Sequence, residues 1–350
     1  MDFPTETKCW VLAKKPTGKP VISGAHSTFR LETRQLPSLK PGQILLKTCF
    51  LSNDPAQRMW IDAELPADRL YLKPIEVGQV MASRGIGRVL SSRSSKIKAG
   101  SQVVVPNIGW TEYAVLSDQG VIVLEPLPLG LSVTHYLGAL GNTGLTAYYG
   151  LVVQSEAKPQ DTVIVSGAAG ATGSMVIQIA KKIIGCKRVI GIAGTDEKCQ
   201  WVESLGADLC LNYKSESFVD NLKKGTAGGV DVFFDCVGGA ILDQVLPRMS
   251  KFGRIEACGA ISGYNEKGSA LFENWFHVVS MRLKIQGFIV LDYAAHAQDA
   301  IEVLKQAIAD RKLVLGEQSQ TINSVTFQDI PKVWLWLFEG GNTGKLITAL

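Results

Sequence analysis

A chain of 350 residues exceeds what one hydrophobic core usually serves, so its length predicts two domains. Hydrophobic residues make up 46% and charged residues 19%, a globular balance. The net charge of +4 is small and dispersed, which argues against nucleic acid or a membrane surface as partner.

The opening MDFPTETKCW lacks the basic start and apolar run of a signal peptide. No stretch approaches the roughly 18 unbroken apolar residues that span a bilayer. Seven scattered cysteines without a CxxC pair read as reduced thiols, so the expected location is cytoplasmic.

Residues 1–134 read as β-rich. Short apolar runs such as ILLKTCFLS (44–52) and QVVVP (102–106) alternate with Gly and Pro. GIGRVLSSRSSKIKAGSQVVVP (85–106) predicts a strand, a polar turn and a second strand, as in a small, partly open barrel.

From about 135 the rhythm changes. DTVIVSG (161–167) predicts a buried strand and SMVIQIAKKI (174–183) an amphipathic helix. KRVIGIAG (187–194) predicts a second strand before the helix DEKCQWVESLG (196–206). ADLCLNY (207–213), VDVFFDCVG (230–238), GRIEACG (253–259) and LKIQGFIVL (283–291) add further strands, and AHAQDAIEVLKQAIADRK (295–312) a long helix. Such repeated strand–helix units specify a doubly wound parallel sheet in an α/β fold. Residues 135–312 are therefore expected to form one domain, and the β-like end 313–350 to return to the first.

The Gly-rich turn in VIVSGAAGATGSMVIQIAK, with Gly167, Gly170 and Gly173, lies between a strand and a helix. That is the context a dinucleotide fingerprint requires, because glycine lets the backbone approach a pyrophosphate at a helix N-terminus. An NAD site usually ends its second strand in Asp or Glu. Here Gly194 is followed by Thr195, Asp196, Glu197 and Lys198, and the two acids fall where they favour the helix dipole. From spacing, Lys198 reads equally as a ligand for a 2′-phosphate or as a solvated lysine. Tyr213 ends the next strand nearby.

Across nearly the whole chain, SNDPAQR (52–58), GIGRV (85–89), GWTEYAVL (109–116), GLTAY (144–148), SGAAGATGS (166–174), GIAGTDEKCQW (191–201), CGAISGYN (258–265), QGFIV (286–290) and GNTGK (341–345) form one pattern. It resembles the zinc-independent medium-chain dehydrogenase/reductases, in the leukotriene B4 dehydrogenase/prostaglandin reductase branch. The resemblance implies a GroES-like β-barrel catalytic domain with a Rossmann domain, NADPH as cofactor and a homodimer. It implies that Lys198 and Tyr213 hold the 2′-phosphate, and that Asn342 and the backbone of Phe288, Ile289 and Val290 line the nicotinamide. The further cofactor positions it implies are Asn53, Thr146, Gly167, Ala169, Gly170, Ala171, Thr172, Gly173, Gly194, Cys236, Cys258 and Tyr264. Two departures stand out: Asn142–Thr143 precedes GLTAY where relatives often carry Met–Pro, and Ala56 follows Asp54–Pro55 where many carry Tyr.

The implied activity is reduction of the C=C bond of an α,β-unsaturated ketone or aldehyde. Hydride goes to the β-carbon, and a donor must stabilise the enolate. Tyr264 matches the family's donor, and a phenol, with a pKa of about 10 in water, stays protonated at neutral pH. Read from sequence alone, a Tyr in a Gly-rich loop is more often a packing residue. No metal is expected: LSNDP (51–55) and PIEVGQVM (74–81) lack the Cys and His–Glu of a catalytic zinc site, and the four close thiolates of a structural site are missing. The alternatives are a quinone reductase of the same fold and a catalytically silent NADPH-binding protein.

Overall fold

The structure, a computed structural model, describes residues 3–266 and 272–350. In chain order its strands are β1 (Glu6–Leu12), β2 (Phe29–Gln35), β3 (Gln43–Ser52), β4 (Gly85–Ser92), β5 (Gln102–Val105), β6 (Tyr113–Ser117), β7 (Ile122–Val123), β8 (Thr162–Ser166), β9 (Arg188–Ala193), β10 (Leu209–Asn212), β11 (Val230–Asp235), β12 (Met249–Ala257), β13 (Lys284–Gly287), β14 (Gln320–Ser324) and β15 (Lys345–Ala349). The chain divides into two compact units. One comprises Met1–Leu137, Thr321–Gly341 and Leu346–Leu350; the other comprises Gly138–Gln320 and Asn342–Lys345.

The first unit is an antiparallel construction. Its main sheet runs β14-β15-β3-β4-β5-β7, β6 pairs with β3, and β1 pairs with β2. Strand β3 carries the sheet, with β4, β6 and β15 all pairing to it. Its register against β4 shifts between Leu45 and Leu46 and again between Thr48 and Phe50. Such irregularities bend a strand and increase its twist, as a closing sheet needs. The core gathers Phe29, Trp110 and Trp334, whose ring centroids lie 5.0, 5.7 and 5.8 Å apart, in tilted and edge-on arrangements that aromatic quadrupoles favour. Trp334 lies on helix Ile330–Trp336, so the C-terminal part of the chain completes a core begun by the N-terminal part.

The second unit holds a six-stranded sheet, β10-β9-β8-β11-β12-β13, in which every neighbouring pair is parallel. The central strand segments VIVS of β8 and VFFD of β11 are buried at every position. This is the pattern of a sheet covered on both faces. The helices have legible causes. Thr195 caps helix Asp196–Ser204 by accepting from the Lys198 N–H, and Asp196 and Glu197 occupy its first turn. Helix Ala297–Ala309 buries Ala300, Ile301, Leu304, Ala307 and Ile308, one apolar stripe at helical spacing.

Numbering the strands of this sheet along the chain gives the order 3-2-1-4-5-6, so the winding reverses between β8 and β11. Outside the carboxyl ends of two such strands the connections diverge and leave a crevice. The C-terminal segment is not one return path. Residues 321–341 and 346–350 belong with the first unit, whereas 313–320 and 342–345 belong with the second. The cause at 342–345 is local pairing: Gly344 forms a parallel bridge with Gly170 and donates its N–H to the Ala169 carbonyl at 2.8 Å.

Candidate active site

The turn after β8 follows from its glycines. Gly167 has φ +59°, a left-handed conformation that side chains resist. A Cβ at Gly173 would lie 2.3 Å from the Gly167 carbonyl oxygen, so the helix that starts at Ala171 meets the turn at a distance only glycine permits. Helix Ala171–Gln178 has no acidic residue in its first turn, and the N–H groups there lack intrahelical acceptors. The Gly170 N–H closes the turn on the Gly167 carbonyl at 2.9 Å, and Ala169, Ala171 and Thr172 present backbone donors and a positive dipole end where a phosphate can sit.

Beneath the turn lies a buried carboxylate. Ser166 donates its hydroxyl to Asp235 Oδ1 at 2.6 Å, and the backbone N–H groups of Val237 and Gly238 donate to the same carboxylate at 3.0–3.1 Å. The Cys236 N–H donates to Ser166 Oγ at 2.9 Å. Burial pushes the Asp235 carboxyl up while these donors hold it down. The network joins the ends of β8 and β11 at the point where the strand order reverses.

A second cluster sits at the ends of β9 and β10. Tyr213 donates its N–H to Ala193, and a Cβ at Gly194 would lie 3.1 Å from the Tyr213 ring. The Lys198 ammonium donates to the Asn342 carbonyl at 2.8 Å. Burial, then the positive charge of Lys214, press the Lys198 pKa down. Lys214 stands 5.8 Å from the centre of the Tyr213 ring. A further anionic group beside Lys198 and Lys214 would relieve the mutual repulsion of the two lysines. Asn342, expected beside the nicotinamide, gives its carbonyl to Lys198 and donates its side-chain amide to the Gly344 carbonyl at 2.8 Å.

The third cluster lies at the carboxyl ends of β11, β12 and β13. Cys236 follows β11, Cys258 follows β12, and Phe288, Ile289 and Val290 follow β13. Phe288 approaches Gly150 so closely that a Cβ there would lie 2.8 Å from its ring. Tyr264 closes the short turn Ile261–Gly263, half-buried, and its phenol oxygen accepts the Ala260 N–H at 3.3 Å. That contact turns the hydroxyl back toward the end of β12. Thr146 lies on helix Asn142–Tyr148 and donates its hydroxyl to the Asn142 carbonyl at 2.7 Å. Asn53 belongs to the first unit, where its amide donates to Thr348 Oγ1 at 3.0 Å and to the Leu346 carbonyl at 3.5 Å.

Sequence reasoning missed Lys214, Ser166 and Asp235. Lys214 had a signal in its adjacency to Tyr213. The other two were ordinary strand endings until the structure joined residues 69 positions apart. Among the described residues no three His, Cys, Asp or Glu side chains converge where they could hold a metal ion, and no helix is long and apolar enough to cross a membrane.

The geometry fits a dinucleotide bearing an extra phosphate: a glycine turn for the pyrophosphate, and paired lysines with a tyrosine one strand away. Comparison with known proteins points the same way. A family model described as the N-terminal domain of oxidoreductase matches residues 8–124, and one described as zinc-binding dehydrogenase matches residues 171–306. The chain is 36% identical to a Saccharomyces cerevisiae protein named uncharacterized membrane protein YML131W, covering 98% of each chain. It is 36% identical to prostaglandin reductase 1 of Bos taurus, covering 97% of this chain and 98% of that one. Among solved structures, CurA from Vibrio vulnificus in complex with NADPH superposes with a TM-score of 0.85, at 32% identity over 98% of both chains.

Proposed function

The chain belongs to the zinc-independent medium-chain dehydrogenase/reductases, in the prostaglandin reductase-like branch, and on that premise we propose that it reduces the C=C bond of α,β-unsaturated ketones or aldehydes. It is an NADPH-dependent oxidoreductase. NADPH, when bound, supplies the hydride.

The protein's own residues bind, orient and donate. The N–H groups at the start of helix Ala171–Gln178 would hold the pyrophosphate against the helix dipole. Lys198, Tyr213 and Lys214 would hold the 2′-phosphate, with Asn342 fixing the Lys198 ammonium through its carbonyl. The backbone of Phe288, Ile289 and Val290 would border the nicotinamide. Tyr264 donates its O–H to the substrate carbonyl oxygen as negative charge builds there. The observation that carries this reading is the Tyr264 phenol, held by the Ala260 N–H at the end of β12 beside the strand order's reversal. A hydroxyl held in place by a backbone N–H is a fixed group, and a fixed donor needs little reorganisation when the charge appears.

The partner of this reading is a second copy of the chain. Strand β13 ends the parallel sheet with one edge unpaired among the described residues. Phe252, Phe276 and Val279, all strongly exposed, lie in its neighbourhood. An open edge with apolar flanks favours pairing edge to edge. A cytoplasmic location agrees with the seven reduced cysteines.

The test is nicotinamide oxidation by the purified protein with an enal, an enone, a quinone and a saturated ketone, each with NADPH and with NADH. The expected result is turnover of the enal or enone to its saturated carbonyl, identified by mass, with NADPH preferred. Reduction of the quinone alone, or NADPH binding without turnover of any of the four, overturns the substrate class.

A further inference from the structure

Parallel strands β11 and β12 pair in register up to Asp235 opposite Ala257. The next residue on each strand is a cysteine. Cys258 donates its N–H to the Asp235 carbonyl at 2.9 Å, which keeps the two strand ends side by side as they leave the sheet. The Cys258 thiol lies beside that of Cys236, and both residues are partly accessible to solvent. Neighbouring strands lie about 4.7–4.9 Å apart, and a disulfide spans Cα atoms about 4.4–6.8 Å apart, so a bridge here needs little backbone movement.

We propose that Cys236 and Cys258 form a peroxide-sensitive dithiol whose oxidation to a disulfide and whose occupation by the dinucleotide oppose each other. The opposition rests on the reading of NADPH at this site; the pairing of the thiols does not. The chemistry balances with a hydroperoxide as oxidant. One thiol, as thiolate, attacks the O–O bond, giving a sulfenic acid and releasing water from hydrogen peroxide. The second thiol attacks that sulfur, the S–S bond forms, and the hydroxyl leaves as a second water. The two sulfurs together give up two electrons, and both thiol protons end in water. The neighbouring Cys258 thiol, then burial, push the Cys236 thiol up, so Cys236 keeps its proton.

The consequence for the cofactor follows from what Cys236 touches. Its N–H is held by Ser166, and its Cβ packs 3.5 Å from where a side chain on Gly167 would start. A bridge at Cys236 therefore changes the side-chain surface beside the turn that receives the pyrophosphate, even without backbone movement. By linkage, whatever the disulfide does to NADPH affinity, NADPH does to the disulfide.

The protein is treated with equimolar hydrogen peroxide, with and without saturating NADPH, then denatured for thiol counting and non-reducing peptide mass mapping. NADPH binding is followed separately by its fluorescence. The expected result is a loss of two of the seven thiols and a Cys236–Cys258 linked peptide. The link is absent in Cys236→Ser and in Cys258→Ser, forms about tenfold more slowly with NADPH bound, and is reversed by dithiothreitol with recovery of NADPH binding. Retention of all seven thiols overturns the proposal, as does a link between Cys199 and Cys210 while Cys236 and Cys258 stay reduced. These outcomes are read on the wild-type protein, so they stand even if a variant fails to fold. NADPH that binds and does not slow the link overturns the opposition. Failure to bind NADPH overturns the functional reading instead, and the linked peptide then decides the thiol pair.

Discussion

The two units handle buried polar groups in opposite ways. In the first, Arg58 is fully buried and bonds Asp62 at 2.8 Å and the Gly18 carbonyl at 2.9 Å, while the other Asp62 oxygen accepts the N–H groups of Glu64 and Leu65. The group is saturated from within and pins loops to a short helix. In the second, buried polar groups collect at the ends of parallel strands, where Ser166 and Asp235 hold backbone that borders the cofactor turn. A parallel sheet ends several strands at one edge, so loops from distant segments meet there, whereas an antiparallel sheet sends its connections to both edges. Chemistry is therefore sought at the second unit's sheet edge, where the turn after β8 gathers backbone donors.

The sharpest way to break this contrast is Gly173→Ala. The new Cβ would meet the Gly167 carbonyl and the Ala168 backbone, neither of which can move aside cheaply. NADPH affinity should fall by about 1,000-fold or more, with a stability loss of about 3 kcal/mol. Titration by NADPH fluorescence and urea unfolding measure both, and near-normal affinity would mean the turn does not hold the pyrophosphate. Tyr264→Phe removes the donor and little else. The turnover number for an enone should drop about 100- to 1,000-fold while the NADPH dissociation constant stays within about twofold. A drop in binding with unchanged turnover would make Tyr264 a packing residue.

Smaller, and aimed at the other end of the site, is Lys198→Ala. Loss of one charge-assisted contact should weaken NADPH by about 10- to 100-fold and leave NADH within about threefold. Equal losses would remove Lys198 from phosphate recognition.

The last prediction sets the units against each other through pH. Burial pushes the Glu256 carboxyl up to about 7, and one of its oxygens has no hydrogen-bond partner among the described residues. Its folded pKa is raised, so its contribution is fully present below its ordinary value near 4.5 and is lost as pH rises through about 7. Burial pushes His135 down to about 4. Its folded pKa is depressed, so its contribution is present above about 6.5 and is lost as pH falls through about 4. Glu256→Gln should shrink the stability difference between pH 5 and pH 8 by about 2–3 kcal/mol, and His135→Gln should flatten the acid limb by a similar amount or less. Urea midpoints across pH check both, and identical profiles for either variant and the parent would contradict the assignment.

What was legible in the sequence follows the same division. The second unit reads well because its signals are local: VIVSG announces a strand, three glycines a turn, and SMVIQIA a helix, all within about twenty residues. Lys198 and Tyr213 could be named as candidates because each lies within a few residues of a strand end and inside the family pattern. Lys214 was overlooked beside them because adjacency in sequence does not tell which side chain faces a charge. Ser166 with Asp235, and Lys198 with Asn342, join residues 69 and 144 positions apart, which no period reveals. The split of the C-terminal segment was equally hidden, since contacts of Gly344 with Gly170 and Ala169 and of Val314 with Gln178 tie parts of it to the second unit. In the first unit, β2 reads FRLETRQ, whose mixed charges announce no buried face. Its partner β1 alternates buried and exposed residues and is plainer.

In the proposed function hydride reaches the β-carbon of an unsaturated carbonyl. Turnover of an enone with NADPH deuterated at its transferring position, followed by NMR and mass analysis of the product, tests it most directly. The account predicts a saturated ketone carrying one deuterium at the β-carbon. An allylic alcohol with deuterium on the former carbonyl carbon would contradict it.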